Sequence, residues 1–338
     1  MKRLLFILPI AICLAACHRD KPEPCSATPY EIEVPAYFPN LTNVPDDNPM
    51  TVEGVALGEK LFFDPRFSAQ PEHPMSCGTC HQKGHGYENG GTPLPTHHSM
   101  LPLVNLAWNT TGLGWNGGVG SIEEMVFLAT VSPMEINGDT TAIAQNLQQI
   151  EEYPKMFIKA FGSEKVTFAN AQRAIAQYVR SIVACNSKFD RYLKGEEQLT
   201  QDELNGYVLF VTEDGADCFH CHGGGGNALF TTNMFYNNGL DTHFDDPEDR
   251  FAVTGDPADR GAYKAPTLRN VMLTAPYMHD GRFSTIDEVI DFYSEGVNYS
   301  DEISPLMHHV MEGGVRLTDT EKQQLKAFLN TLTDSEIR

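Results

Sequence analysis

Two five-residue segments hold the most distinctive chemistry of this chain, Cys77-Gly78-Thr79-Cys80-His81 and Cys218-Phe219-His220-Cys221-His222. Both have the Cys-x-x-Cys-His spacing of covalent haem attachment. Two thiols add across the two vinyl groups of one haem, and the His that follows is delivered to the iron. The competing chemistries are a zinc site and a thioredoxin-like redox pair. Zinc held by two Cys-x-x-Cys pairs usually has them about 15–20 residues apart. Here the pairs are much further apart and each carries its own His. The spacing therefore predicts two covalently bound c-type haems, with His81 and His222 as proximal iron ligands.

Two such centres need two similar frames, and the chain contains a repeat. Leu57-Gly58-Glu59-Lys60-Leu61-Phe62-Phe63 precedes the first motif, and Leu204-Asn205-Gly206-Tyr207-Val208-Leu209-Phe210 precedes the second. After the first come Leu103-Val104-Asn105, Trp115-Asn116-Gly117 and Ser121-Ile122-Glu123-Glu124. After the second come Leu268-Arg269-Asn270, His279-Asp280-Gly281 and Thr285-Ile286-Asp287-Glu288. Thr200-x-x-Glu203, Thr285-x-x-Glu288 and Thr318-x-x-Glu321 are capping boxes ahead of apolar-periodic segments. Ile175, Tyr178, Val179 and Ile182 recur at helical spacing and read as core. Convincing alternating strands are absent. The Gly- and Pro-rich stretches 84–120 and 223–265 are long enough to be functional, as walls of the haem crevices. The fold expected is mainly α: two cytochrome c-like haem domains related by internal duplication, over residues 51–190 and 191–338.

The N-terminus speaks to location. Lys2 and Arg3 precede an apolar run, Leu4 to Ala16, too short to span a membrane comfortably. It ends Leu14-Ala15-Ala16-Cys17, the form of a lipoprotein signal peptide over residues 1–17 with lipid on Cys17. An ordinary export signal would give the same destination outside the cytoplasm. Residues 18–50, rich in Pro, Asp, Glu and Asn, read as a tether. Cys13 falls in the leader, so only Cys25 and Cys185 lack a role; they pair with each other or stay apart. The net charge of −21 argues against nucleic-acid binding and would attract a basic protein partner.

From Leu57 to about Leu332 the chain resembles the bacterial dihaem cytochrome c peroxidases and their MauG relatives. The resemblance is carried by the run from Leu57 through Asp64-Pro65-Arg66, by Trp115-Asn116-Gly117, Ser132-Pro133-Met134-Glu135 and Arg250-Phe251-Ala252-Val253-Thr254. It continues in Ala265-Pro266-Thr267-Leu268-Arg269-Asn270 and Thr274-Ala275-Pro276-Tyr277-Met278-His279-Asp280-Gly281. It implies a peroxidatic N-terminal haem and a C-terminal haem that relays electrons. Glu135 matches the distal acid-base glutamate, and a carboxylate there can move the proton that heterolytic O–O cleavage requires. Trp115 matches the tryptophan between the haems.

The chain also departs from the peroxidase pattern. The distal His of many peroxidases has only His97 and His98 as candidates, in a poorly matching neighbourhood; they read as surface or propionate-contacting residues. The distal Gln falls on Met125. Counting from His279, the position of the second haem's Met ligand falls on Tyr293, as in MauG-type proteins. Tyr293 is favoured over the neighbouring Met278 as sixth ligand. The family's calcium would take Thr274 and Pro276 carbonyls, but its Asn ligand falls on Ser99 or His98, poorer donors for so hard an ion. Calcium is allowed rather than expected. The leading expectation is an enzyme, a peroxidase reducing hydrogen peroxide with electrons from a small cytochrome c or cupredoxin. The alternatives are a MauG-like oxidase of a protein substrate and a non-enzymatic electron-transfer cytochrome. Monomer and homodimer both stay open.

Overall fold

A computed structural model describes residues 27–40, 43–89, 98–224 and 226–337. The leader, Cys17, Cys25 and His97 lie outside the described residues. The first half contains α1 (Val52–Phe63), α2 (Cys77–Cys80), α3 (Ile122–Val131), α4 (Thr140–Gln149), α5 (Glu152–Phe161) and α6 (Phe168–Ser181). The second contains α7 (Lys188–Leu193), α8 (Gln201–Phe210), α9 (Phe219–His222), α10 (Phe251–Thr254), α11 (Ile286–Glu295) and α12 (Asp319–Asn330). The one described sheet is a two-residue antiparallel ribbon, β1 (Phe235–Tyr236) and β2 (Tyr263–Lys264), pairing Phe235 with Lys264. The chain is thus mainly helical, as its patterning predicts.

The helices begin where local chemistry dictates. Thr200, Thr285 and Thr318 each form a complete capping box with the Glu three residues on. Each satisfies backbone N–H groups that the first helical turn leaves without partners. In each half a helix pair sets the frame, α1 on α6 and α8 on α12. The pairs cross at glycine. A Cβ on Gly58 would collide with the Ala174 carbonyl, and one on Gly206 with the Gln324 carbonyl. These contacts equate Gly58 with Gly206. The repeat is therefore shifted by one residue from the alignment of Leu57 with Leu204, because backbone approach decides register and leucine matching does not. Ile175, Tyr178, Val179 and Ile182 are all buried in the first core, with Leu57 and Phe62. Phe210, Phe230, Leu325 and Phe328 centre the second.

Asn105 and Asn270 close the two halves in the same way. Both adopt left-handed backbone, φ 61° and 62°, which Asn tolerates better than most residues. The Asn105 N–H bonds the Ile182 carbonyl and the Asn270 N–H bonds that of Leu332. Their side-chain oxygens accept from the N–H groups of Ala184 and Asp334. Each Asn so ties the loop after a Cys-x-x-Cys-His segment to the end of that half's last helix.

One expectation is corrected. Residues 28–40 and 43–50 are not a free tether. Pro29 bridges Thr51, and the Tyr30 N–H bonds the Met50 carbonyl. Phe38 stacks edge-on against buried Trp108, and the Tyr37 hydroxyl donates to Asp190 at 2.8 Å. Composition marked the segment as extended and polar; its few aromatic residues give it a packed strap across both halves.

The Tyr37 bond joins a larger network. Arg269 and Asp190 are 1% and 0% exposed and pair bidentately at 2.8 and 2.9 Å. Burial alone would raise the Asp190 pKa, but hydrogen bonds from Arg269 and its charge hold the carboxyl below the usual range. On acidification the unfolded chain therefore takes up this proton first. The stabilisation is present at neutral pH and fades as pH falls from the ordinary carboxylate range toward the depressed value. Arg269→Met should cost about 3–5 kcal/mol by stranding a buried carboxylate, read as a lower urea midpoint at pH 7. The deficit should shrink on acidification. A midpoint within error of wild type would show that the pair holds nothing together.

Candidate functional site

α2 and α9 are single turns that bring two cysteines and a histidine to one side of each core. Gly78 lies against the Phe63 ring, where a Cβ would collide, so α2 beds directly on α1. Burial pushes the thiols of Cys77 and Cys221 up to about 12 and that of Cys218 higher still. Cys77 packs on the first core and Cys218 on the second. Among the described residues no cluster of metal-ligating side chains includes any of them, against the zinc alternative.

The histidines are oriented by backbone. His81 Nδ1 is 2.7 Å from the Tyr87 carbonyl, and His222 Nδ1 is 3.0 Å from that of Pro266. Each bond makes Nδ1 the donor and leaves Nε2 as the lone-pair nitrogen. Burial lowers both imidazole pKa values, His222 to about 4, so both rings stay neutral. Paired thiols, an adjacent neutral imidazole with its outer nitrogen unbonded, and an apolar recess fit a covalently held haem.

The recess around the second motif is well defined. It is lined by Cys218, Cys221 and His222 on one side and by Trp115, Met278 and Tyr293 on others. Tyr293 stands on α11 and Met278 on the preceding loop; both pack on Leu240, Phe292 and Val297. Met278 has left-handed backbone, φ 70°, a conformation that a non-glycine residue keeps only under constraint. The Asn238 amide donates to the Tyr293 hydroxyl at 2.9 Å and approaches the Met278 sulfur at 3.8 Å. Burial raises the Tyr293 pKa, and the Asn238 bond opposes that shift. Nothing in the sequence singled out Asn238, one of many Asn residues in a loop.

Trp115 belongs to the first half yet lines the second recess. Its indole N–H donates to the Ser99 carbonyl at 2.8 Å, and its own carbonyl accepts from the Lys264 N–H. The Ser99 N–H in turn donates to the His279 carbonyl. Trp115 is thereby locked into the seam between the halves.

Glu135 follows α3 in a turn where its N–H bonds the Ser132 carbonyl. Its side chain is solvent-accessible. Even so, surrounding protein raises its pKa above the ordinary carboxylate range, against a hydrogen bond from Ser132. Its charge acts on both Cys77 and Cys80, so the carboxylate lies on the first motif's side of the core. Gln70 steadies the turn, donating to the Ile136 and Asn137 carbonyls.

Two expectations need revision. His98 is not a surface residue. Its Nε2 lies 2.7 Å from Asp246, which also accepts from the Tyr263 hydroxyl. It therefore belongs to the second half's polar network. The residues that match the calcium's side-chain ligand are engaged elsewhere. The Ser99 hydroxyl donates to the Met278 carbonyl at 2.6 Å and His98 is committed to Asp246.

Residues 52–198 match the family described as di-haem cytochrome c peroxidase. Over 298 residues the chain is 34% identical to the methylamine utilization protein MauG of Methylorubrum extorquens, covering 85% of this chain and 80% of that protein. Over 331 residues it is 33% identical to the cytochrome-c peroxidase IdrP1 of a Pseudomonas species, covering 87% and 84%. Among solved structures, a MauG-like protein associated with microbial copper homeostasis superposes with a TM-score of 0.80 at 32% identity, over 90% of this chain and 96% of that one. The mature holoprotein should show two haem additions by mass spectrometry, and Cys218→Ser/Cys221→Ser only one. A single addition in the wild type would sink the two-centre assignment.

Proposed function

The chain belongs to the di-haem cytochrome c peroxidase family, and from that premise we propose that it cleaves hydrogen peroxide at the haem of Cys77, Cys80 and His81. As a member it is a peroxidase-type oxidoreductase with two c-type haems. Bound haem supplies the iron at which peroxide is reduced and the redox store that feeds it. The overall reaction consumes two electrons and two protons per peroxide and yields two waters.

What the chain itself contributes follows from its side chains. Glu135, with its raised pKa, takes the proton from one peroxide oxygen and returns it to the other, so that the leaving oxygen departs as water. The observation that carries this reading is Glu135 in the turn after α3, within the Ser132-Pro133-Met134-Glu135 run by which the chain resembles the family. An electron carrier needs no carboxylate there. His81 and His222 act as neutral proximal ligands through Nε2, held by the Tyr87 and Pro266 carbonyls. Trp115 bridges the halves. Tyr293 would help hold the second haem's iron, with the Asn238 N–H favouring its phenolate form. Electrons would come from a small cytochrome c or cupredoxin, a basic partner being drawn to the acidic surface. The same proposal puts the protein outside the cytoplasm, on lipid at Cys17. Among the described residues no helix is long and apolar enough to cross a membrane.

A second reading, oxidation of a protein substrate in the MauG manner, is favoured by Tyr293. Phenolate ligation stabilises ferric iron and lowers its potential, whereas a thioether raises it.

Glu135→Gln should keep both haem spectra and lose peroxide turnover by about 10²–10⁴-fold, the usual worth of a positioned acid-base group. Wild-type turnover would reject the assignment. Tyr293→Phe should raise the second haem's potential and alter its low-spin spectrum, while Met278→Leu should do neither. The reverse pair of results would make Met278 the ligand and favour a reductively activated peroxidase.

A further inference from the structure

A group of side chains beside the second motif, two of which also line its recess, has no role in the reaction proposed above. Asp217 immediately precedes Cys218, His220 lies between the two cysteines, and His308 arrives from the loop before α12. Their ligand atoms all lie within 4.8 Å of one another. The Asp217 carboxylate is 7% exposed and touches both rings: Oδ1 is 2.6 Å from His220 Nδ1, and Oδ2 is 3.5 Å from His308 Nδ1. The imidazoles meet edge to face, 4.9 Å between centroids. A second carboxylate, Glu213, brings Oε1 to 3.3 Å from His308 Nδ1.

Distances separate a ligand set from ordinary hydrogen bonding. At 3.3 and 3.5 Å, His308 Nδ1 is too far from either carboxylate for a good N–H···O bond. A tetrahedral ion about 2.0–2.1 Å from each ligand instead holds its donors about 3.3–3.4 Å apart. The two longer separations already match that edge. The 2.6 Å contact of His220 with Asp217 has to open and Glu213, which lies outside the group of three, has to close in, both by side-chain rotation.

We propose that Asp217, His220 and His308, with Glu213 as the outer fourth ligand, form a divalent transition-metal site against the attachment edge of the second haem. Two imidazoles and two carboxylates suit Cu(II) and Zn(II); calcium and magnesium prefer all-oxygen sets. Among first-row ions the order of affinity puts Cu(II) highest. The site is independent of Glu135 and of which residue caps the second iron. Its position gives it a consequence. A dication next to Cys218 disfavours removal of an electron from the adjacent haem, so loading raises that haem's reduction potential and couples electron entry to metal supply.

The test uses tag-free, haem-loaded protein titrated with Cu(II) or Zn(II) alone in the presence of a competing chelator. Wild type should retain one equivalent after gel filtration, and its Cu(II) resonance should show hyperfine structure from two imidazole nitrogens. Zinc should shift the second haem's potential upward. His308→Ala should weaken binding by more than about 10²-fold, beyond the 10–100-fold that losing an outer-sphere partner costs, and abolish the zinc shift. Glu213→Gln, at an exposed position outside the lining of the second recess, should weaken binding and leave both haem spectra unchanged; it serves if His308→Ala loses haem. No retained metal in wild type, or equal retention in these variants, would overturn the site.

Discussion

The Arg269–Asp190 pair is the interaction on which the second half is built. Two fully buried charges are costly to desolvate, and only bidentate geometry with further hydrogen bonds offsets that cost. The extra bonds radiate to every neighbouring element. Ser187 and Tyr37 donate to Asp190, and Arg269 Nε donates to the Ala228 carbonyl at 2.6 Å. The guanidinium also lies 5.0 Å from the Phe38 ring centroid and 5.7 Å from that of Phe230. Ala228 thus fixes the turn following α9, and Thr267 Oγ1 extends the clamp to the Leu229 carbonyl. One residue earlier, Pro266 presents the carbonyl that orients His222. The direction of a functional imidazole is inherited from a salt link that never touches it. Arg180 and Glu123 do comparable work in the first half, a buried guanidinium forking onto one carboxylate and reaching the Asn43 carbonyl.

What could be read from sequence was what chemistry ties to fixed local spacing. Covalent haem attachment tolerates no insertion in Cys-x-x-Cys-His, and a capping box must close within one helical turn. Both were therefore visible, as was the apolar face of α6. Contacts made at a distance were not. Asp190 and Arg269 are separated by 79 residues, and either alone reads as a solvated charge. The strap was hidden by its polar composition, since Tyr37 and Phe38 acquire meaning only from Asp190 and Trp108. Asn238 had no signal at all. The one-residue slip of the repeat shows the same limit: leucine matching suggested one register, while the Gly58 and Gly206 crossings enforce another.

Duplication explains the symmetric parts. Asn105 and Asn270 share a backbone conformation and a role. Leu113–Val119 and Tyr277–Phe283 are equivalent bridges, and Gly117 and Gly281 turn these loops with φ 71° in both. Trp115 and His279 occupy matched places in them, two residues beyond the first bridging residue. Both side chains line the second recess, so the shared scaffold delivers one aromatic group from each half to the same side of the molecule. The Ser99 backbone links the two. A relay between haems needs such a fixed seam, because electron transfer falls off steeply with each ångström of slack.

The functional asymmetry then rests on single positions within matched elements. α3 and α11 are both ten residues long and both begin after a hydroxyl cap, Ser121 and Thr285. They can therefore be compared without a gap. Where α11 carries Tyr293, α3 carries Ala129, whose methyl cannot reach an iron atom. On the proposed ligation, the same helix closes the second haem and leaves the first open to a small molecule. Four residues past the end of each helix stand Glu135 and Tyr299. Glu135 is held where protein lifts its pKa, whereas Tyr299 is 57% exposed and turned toward Asp301. An open iron position without a carboxylate would bind peroxide but have no group to move its proton. A carboxylate beside a capped iron would have nothing to act on. On that proposal an open position and a proton carrier occur together in the first half and neither has a counterpart in the second, the division of labour that a peroxidatic and a relaying haem require.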